Sequence, residues 1–242
     1  MGLVAILYSV MGRMQTSVWP RGRVHVCDLR DVEMRAFGIT LAGRPATVHD
    51  WLQAHTSPAL DLLCAVPYAT FLAACVAFAV FASLRDPARG KRFAWSFLLL
   101  NVLGFVTYRI YPAAPPWYFH AHGCMVDLAT RASEGPNLAR VDAWLGVPFF
   151  GAMYARSSAV FGAMPSLHCA YAALLVLDGW TMFGRLARTG TVAYASLMAF
   201  AAVYLDHHWI LDVLAGGGYA VLVSVLLRRA SARREAAVVQ HA

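Results

Sequence analysis

Five stretches of this chain, residues 59–84, 93–111, 166–184, 190–206 and 209–227, are apolar over the ~20 residues a helix needs to cross a bilayer at ~1.5 Å per residue. No other feature limits the fold so tightly. Composition agrees: 60% of residues are hydrophobic and 14% charged, where a soluble domain has roughly a quarter charged. The opening "MGLVAILYSVMGR" resembles a signal h-region. It has no basic flank before it and no small-x-small site after it, so it reads as a short or incomplete sixth span. No soluble domain, low-complexity linker or internal repeat interrupts the chain. The expected fold is therefore all-α, a polytopic membrane protein with a six-helix transmembrane bundle, and residues 1–242 form one domain.

Residues 13–58 read as interfacial. "HVCDLRDVEMRAF" puts Leu29, Val32, Ala36 and Phe37 on one face with charges opposite. "TVHDWLQAHT" opens with a cap signal, Thr47 with Asp50 three residues on, and Val48, Trp51 and Leu52 share a face. Amphipathic pieces with Trp lie in the headgroup layer or pack over the bundle.

The net charge of +7 is placed for a membrane rather than for nucleic acid. Ten of the 20 Lys and Arg lie in three segments that each follow an apolar run: Arg85, Arg89, Lys91 and Arg92; Arg185 and Arg188; Arg228, Arg229, Arg233 and Arg234. The positive-inside rule puts these in the cytoplasm. Arg109, the loop 112–157, "PSLH" at 165–168 and "DHH" at 206–208 then all fall outside. The polar ends of three separate spans meet at one face. Five cysteines show no CxxC. Cys64, Cys75 and Cys169 read as packing residues. Cys27 and Cys124 both fall outside, which leaves a disulfide between them open.

In "HHWILD", His208 and Asp212 are four apart and share a helix face. A carboxylate there can take the proton-bearing ring nitrogen and leave the other as a nucleophile. His207 has Leu211 at that offset, so His208 is the better nucleophile. Two other readings stand beside this one: a wet helix turn, and a metal site built on His and Asp, which no further ligand spacing supports. In "VFGAMPSLHCAYAAL", Pro165 suits a first helical turn. The free amides there, with the Ser166 hydroxyl, make an anion site, and His168 can protonate a leaving oxygen. Taken alone, that stretch is equally a capped helix start. Together the two stretches supply a nucleophile, an acid and a phosphate cradle, the set that phosphoryl transfer needs.

"PSLH" followed by "HHWILD" resembles the type 2 phosphatidic acid phosphatase superfamily, which carries PSxH and a later HxxxD. "YRIYPAAPPWY", "NLARVDAWLG", "VFGAMPSLH" and "YLDHHWILDVLAGG" together are similar to its inositol phosphorylceramide synthase branch, over about residues 108–218. The resemblance implies that His208 attacks phosphorus and forms a phosphohistidine. It also implies that Asp212 orients His208, that His168 acts as acid and then base, that Ser166 contacts phosphate, and that no metal or other cofactor is needed. Its implied partners are a phospholipid donor and a lipid alcohol, ceramide or diacylglycerol, as acceptor. Water as acceptor would make the enzyme a lipid phosphate phosphatase.

The chain departs from many members in two places. Their KxxxxxxRP motif is reduced to Arg109 and Pro112 without a Lys in register, and their Ser-Arg pair before the nucleophile is Ala201 and Ala202 here. The synthase-like branch departs similarly. Arg109, Arg140 and Arg156 are the outside-facing cations left for phosphate and headgroup. Arg140 and Asp142, in "LARVD", suit the headgroup or pair with each other as a loop salt bridge. Trp117 and Tyr118 suit the interfacial aromatic belt, and "GGG" at 216–218 suits close helix approach. Asp178 is expected to face the bundle.

Overall fold

A computed structural model describes residues 23–132, 137–155 and 160–240, with side chains through residue 233. The N-terminal apolar segment, and with it the sixth span, lies outside the described residues. Among those residues four helices are long and apolar enough to cross a membrane: α3 (Pro58–Arg85), α4 (Pro87–Ile110), α9 (Arg185–Tyr204) and α10 (Ile210–Gln240). Between them stands a shorter helix, α8 (Leu167–Gly179). Outside the bundle lie α1 (Cys27–Phe37), a hairpin of β1 (Ile39–Leu41) and β2 (Arg44–Ala46), α2 (Val48–Ala54), α5 (Pro116–His122), α6 (Ala139–Leu145) and α7 (Phe149–Tyr154).

Helix starts follow local chemistry. Ser57 accepts from the Leu60 amide and Pro58 begins α3; Asp86 accepts from the amides of Ala88 and Arg89 and Pro87 begins α4. Thr47 and Asp50 form the expected capping box.

The expected span 166–184 is the main revision. Only thirteen residues are helical, and nine of them are buried. In α9 just four of twenty are buried. α8 packs on α3, α4, α9 and α10, so it is the bundle's centre and need not reach both membrane surfaces. Close approach sets the α8–α10 contact. A Cβ on Gly216 would sit 2.2 Å from the Ser166 carbonyl oxygen, while one on Gly217 or Gly218 would meet nothing within 4 Å. The glycine reading therefore holds at the first position of the three.

The basic segments gather at the far end of the bundle from the histidines. Arg89 reaches Thr181 (2.7 Å), and Arg228 reaches the Leu177 carbonyl and Asp178. Asp178 is buried and also accepts from Ser224 (2.9 Å). At the opposite end a disulfide joins Cys27 to Cys124, their Cα atoms 5.4 Å apart.

Two expectations about the outer segments are corrected. Trp117 and Tyr118 are buried, packed with Val26, Ala114, Val160 and Phe161 instead of sitting in a headgroup belt. The Tyr118 hydroxyl is engaged by the Met125 carbonyl and the Asp127 amide. On α1 the buried face holds Leu29 and Glu33, while Val32 is exposed. The hydrophobic pattern missed this because Glu33 is buried for its charge.

Candidate active site

Three extended strands lie side by side under the outer cap. Ala114 donates to the His25 carbonyl (2.8 Å), Ala113 to Phe161 (3.0 Å), and Ala163 back to Ala113 (3.1 Å). They fix the chain entering α8. From α4, the Tyr108 hydroxyl donates to the Pro165 carbonyl (2.8 Å). Ser166 is fully buried, caps α8 by accepting from the Cys169 amide, and donates its own amide to the Asp212 carbonyl (2.9 Å). PSLH and the first turn of α10 are thereby locked together.

His208 lies in the turn between α9 and α10. Its Nδ1 donates to the Ala163 carbonyl at 2.9 Å, which fixes the tautomer and leaves Nε2 as the lone pair. The expected partner, Asp212, lies 3.7 Å from the same Nδ1. Its Oδ2 accepts instead from the Trp209 amide at 2.9 Å, because at the first turn of α10 a free amide is nearer than the ring. His208 Nε2 lies 3.3 Å from His168 Nδ1. Burial pulls His208 down to about 4, so it is neutral at pH 7. A phosphate arriving between the two rings would favour a proton on one of them, which is the arrangement for a nucleophile beside an acid.

His207 completes a group of three imidazoles whose nitrogens lie within 4.8 Å of one another. It meets the Tyr154 hydroxyl at 3.3 Å and stacks edge-on against Tyr68. The three-nitrogen grouping could accept a transition metal; the spacing in sequence had not suggested a third histidine.

The remaining expected residues have mixed positions. Arg109 is half-buried at the end of α4, beside Tyr108, and makes no hydrogen bond or ion pair among the described residues. Arg156 lies outside the described residues. Arg140 and Asp142 do not pair with each other. Arg140 grips Asp61 through Nε and Nη2, at 2.8 Å in the shortest contact, and reaches Gln53. Asp142 accepts from the Phe150 and Gly151 amides at the start of α7. Asp61 also takes the Tyr204 hydroxyl (2.9 Å), so the outer loop is tied to α3 and α9 at one carboxylate.

Sequence reading missed Glu33, His49, Asp61 and His120. Glu33, His49 and His120 sit in segments that look interfacial and Asp61 at the head of an apolar span, and the groups that bond the side chains of Glu33, Asp61 and His120 are 70 to 178 residues away. The signal that could have found Glu33, His49 and His120 was His and acidic residues within the three short helices α1, α2 and α5, and for Asp61 a lone charge in an apolar run.

The chain is 33% identical over 208 residues to the phosphoinositol dihydroceramide synthase of Bacteroides thetaiotaomicron, covering 82% of this chain and 66% of that protein. It is 34% identical to the inositol phosphorylceramide synthase of Candida albicans, covering 66% of this chain and 34% of that protein. It is 31% identical to the inositol phosphorylceramide synthase catalytic subunit AUR1 of Saccharomyces cerevisiae, covering 69% and 42%. The chain thus spans just under two thirds of the bacterial relative's length and less than half of the fungal ones. No solved structure gave a significant match. The PAP2 superfamily model matches residues 38–227, from the hairpin into α10 and across His168, His207, His208 and Asp212, and the chain belongs to that superfamily.

Proposed function

We propose that the protein is a membrane lipid phosphotransferase. It moves a phospho-headgroup, inositol phosphate by the names of its relatives, from a phospholipid to a lipid alcohol such as ceramide or diacylglycerol. The observation that carries this reading is His208: Nδ1 is held by the Ala163 carbonyl and Nε2 faces His168 at 3.3 Å.

In this mechanism His208 Nε2 attacks phosphorus. The bond from phosphorus to the diacylglycerol oxygen breaks, and His168 gives that oxygen a proton. The acceptor hydroxyl then loses its proton to His168 and attacks the phosphohistidine, which releases Nε2. Asp212, 3.7 Å from Nδ1, stabilises the positive charge on the ring. Ser166, with Arg109 and Arg156, binds the phosphate oxygens. Arg140, whose side chain stays 31% exposed, meets the headgroup. Asp142 serves by holding α7. The site faces the non-cytoplasmic side, a reading supported by the basic ends opposite it and by the disulfide beside it.

The test supplies purified protein with labelled phosphatidylinositol and phosphatidic acid, with and without ceramide. Labelled inositol phosphorylceramide that appears only with acceptor is the expected product. Free phosphate without acceptor would instead make the protein a phosphatase.

A further inference from the structure

The turn that carries His208 is gripped from outside the bundle by a chain of buried charge. Glu33 of α1 is 1% exposed. Its two oxygens accept from the amides of Ile210 (3.0 Å) and Leu211 (3.2 Å). With Trp209 donating to Asp212, three successive amides at the start of α10 end on carboxylates. Behind Glu33 lies His49 of α2, fully buried, with Nε2 3.9 Å from Glu33 and Nδ1 3.2 Å from Asp206. Neither nitrogen has an aligned hydrogen bond among the described residues. The ring lies between two carboxylates, and its edge meets Trp209, whose centroid is 5.0 Å away.

Asp206 is the far end of this chain. Its φ is +61°, in the left-handed region, which costs an L-residue about 1–2 kcal/mol. Contacts from α2 and α5 hold it there. Its carbonyl accepts from the Trp117 amide (3.0 Å), and its carboxylate meets both His49 and His120. His120 continues to Asp50 at 3.1 Å. Two outer helices, α2 through His49 and α5 through Trp117 and His120, thus converge on the residue two before His208.

We propose that Glu33, His49 and Asp206 are positioning residues for the phosphoryl-transfer step, holding the turn 206–209 so that His208 Nε2 stays in line with phosphorus. The inference rests on the phosphohistidine reading above. Glu33 fixes the start of α10, Asp206 fixes the entrance to the turn, and His49 couples the two. None of the three has a bond to His208 itself. A nucleophile displaced by 1 Å loses on the order of 100-fold in rate, so slackness in this turn is read directly in chemistry.

The test measures rapid labelling of the enzyme by phosphorus-labelled phosphatidylinositol, comparing wild type with His49→Gln, Glu33→Gln and Asp206→Asn. The expected result is a labelling rate lower by roughly 10- to 100-fold, at unchanged burst amplitude and donor KM. A merely structural role would lower the amplitude, which counts folded sites, and leave the rate; that outcome overturns the inference. Should His49→Gln fail to fold, Asp206→Asn carries the same readout, because Asn tolerates the left-handed backbone and keeps one accepting oxygen. A wild type that never labels overturns the phosphohistidine reading and this inference with it. A labelled wild type with variants at full rate overturns the inference alone.

Discussion

The bundle and the outer cap of this protein are held together by different physics. The bundle packs apolar and aromatic side chains around α8, with few polar contacts, such as Tyr171 on Asn101 (2.6 Å). Its outward faces carry exposed Leu, Val and Trp, for instance Leu63, Val80 and Trp95, which suit lipid. The cap is built on buried charge and covalent closure: Glu33, His49, Asp206, His120 and Asp50 in one chain, Arg140 on Asp61, and Cys27 on Cys124. The contrast teaches a division of labour. Apolar burial is non-directional and sets where helices lie, whereas charge-assisted hydrogen bonds, such as Glu33 to the Ile210 and Leu211 amides, are directional and fix a turn.

The largest effect is expected where the two regions meet. His208→Ala should abolish headgroup transfer, a loss on the order of 10⁴- to 10⁶-fold, with the fold retained by helix content and thermal melting. Activity unchanged in that variant would remove the nucleophile assignment.

Breaking the cap alone comes next. Cys27→Ser should destabilise it by about 2–4 kcal/mol. Amide exchange should rise in α1 and α5 and stay low in α8. Exchange rising equally in both would dissolve the distinction between the regions. Within the bundle, Gly216→Ala should cost about 1–3 kcal/mol, because the added methyl meets the Ser166 carbonyl oxygen. Gly217→Ala, with open space around it, should be neutral or stabilising. Equal melting temperatures for the two variants would contradict the close approach.

The smallest effect is a pH dependence confined to the cap. For His120, burial works against the charged form, but bonds to Asp206 and Asp50 raise it above its ordinary 6.5. Its contribution is therefore full below that value and fades as pH rises through the raised one. For Asp206, burial pushes upward, yet His120 and His49 bring it below 3.8. Its contribution is present above that value and is lost as pH falls through the lowered one. The pair should stabilise the cap most between these limits. His120→Gln should flatten the melting temperature against pH near neutrality; an unchanged slope would mean the pair contributes nothing.

Much of the bundle was legible in the sequence because bilayer thickness dictates the length of an apolar run. His168 and His208 lie 3.3 Å apart at their nearest ring nitrogens, and that they fall at one end of the bundle was legible from the placement of the basic segments. The length of α8 was not, since an apolar segment buried by other helices looks the same as one that spans. The hydrogen-bond partner of His208 was not, since Ala163 is 45 residues away and contributes only a carbonyl. Glu33 was assigned to a wet face by its charge. Its partners are two backbone amides that a sequence of side chains does not display.

The Cys27–Cys124 bond bears on how the chain is inserted. Its two sulfurs are 97 residues apart, and the whole of α3 and α4 lies between them. They can meet only when both helices have crossed and the second has returned to the side of the first. The bond therefore closes only after that helical hairpin is threaded, and a chain in which one of the two helices fails to cross is left with its two thiols on opposite sides. Oxidation here serves as a covalent record of topogenesis, written at the same end of the bundle as the turn that holds His208.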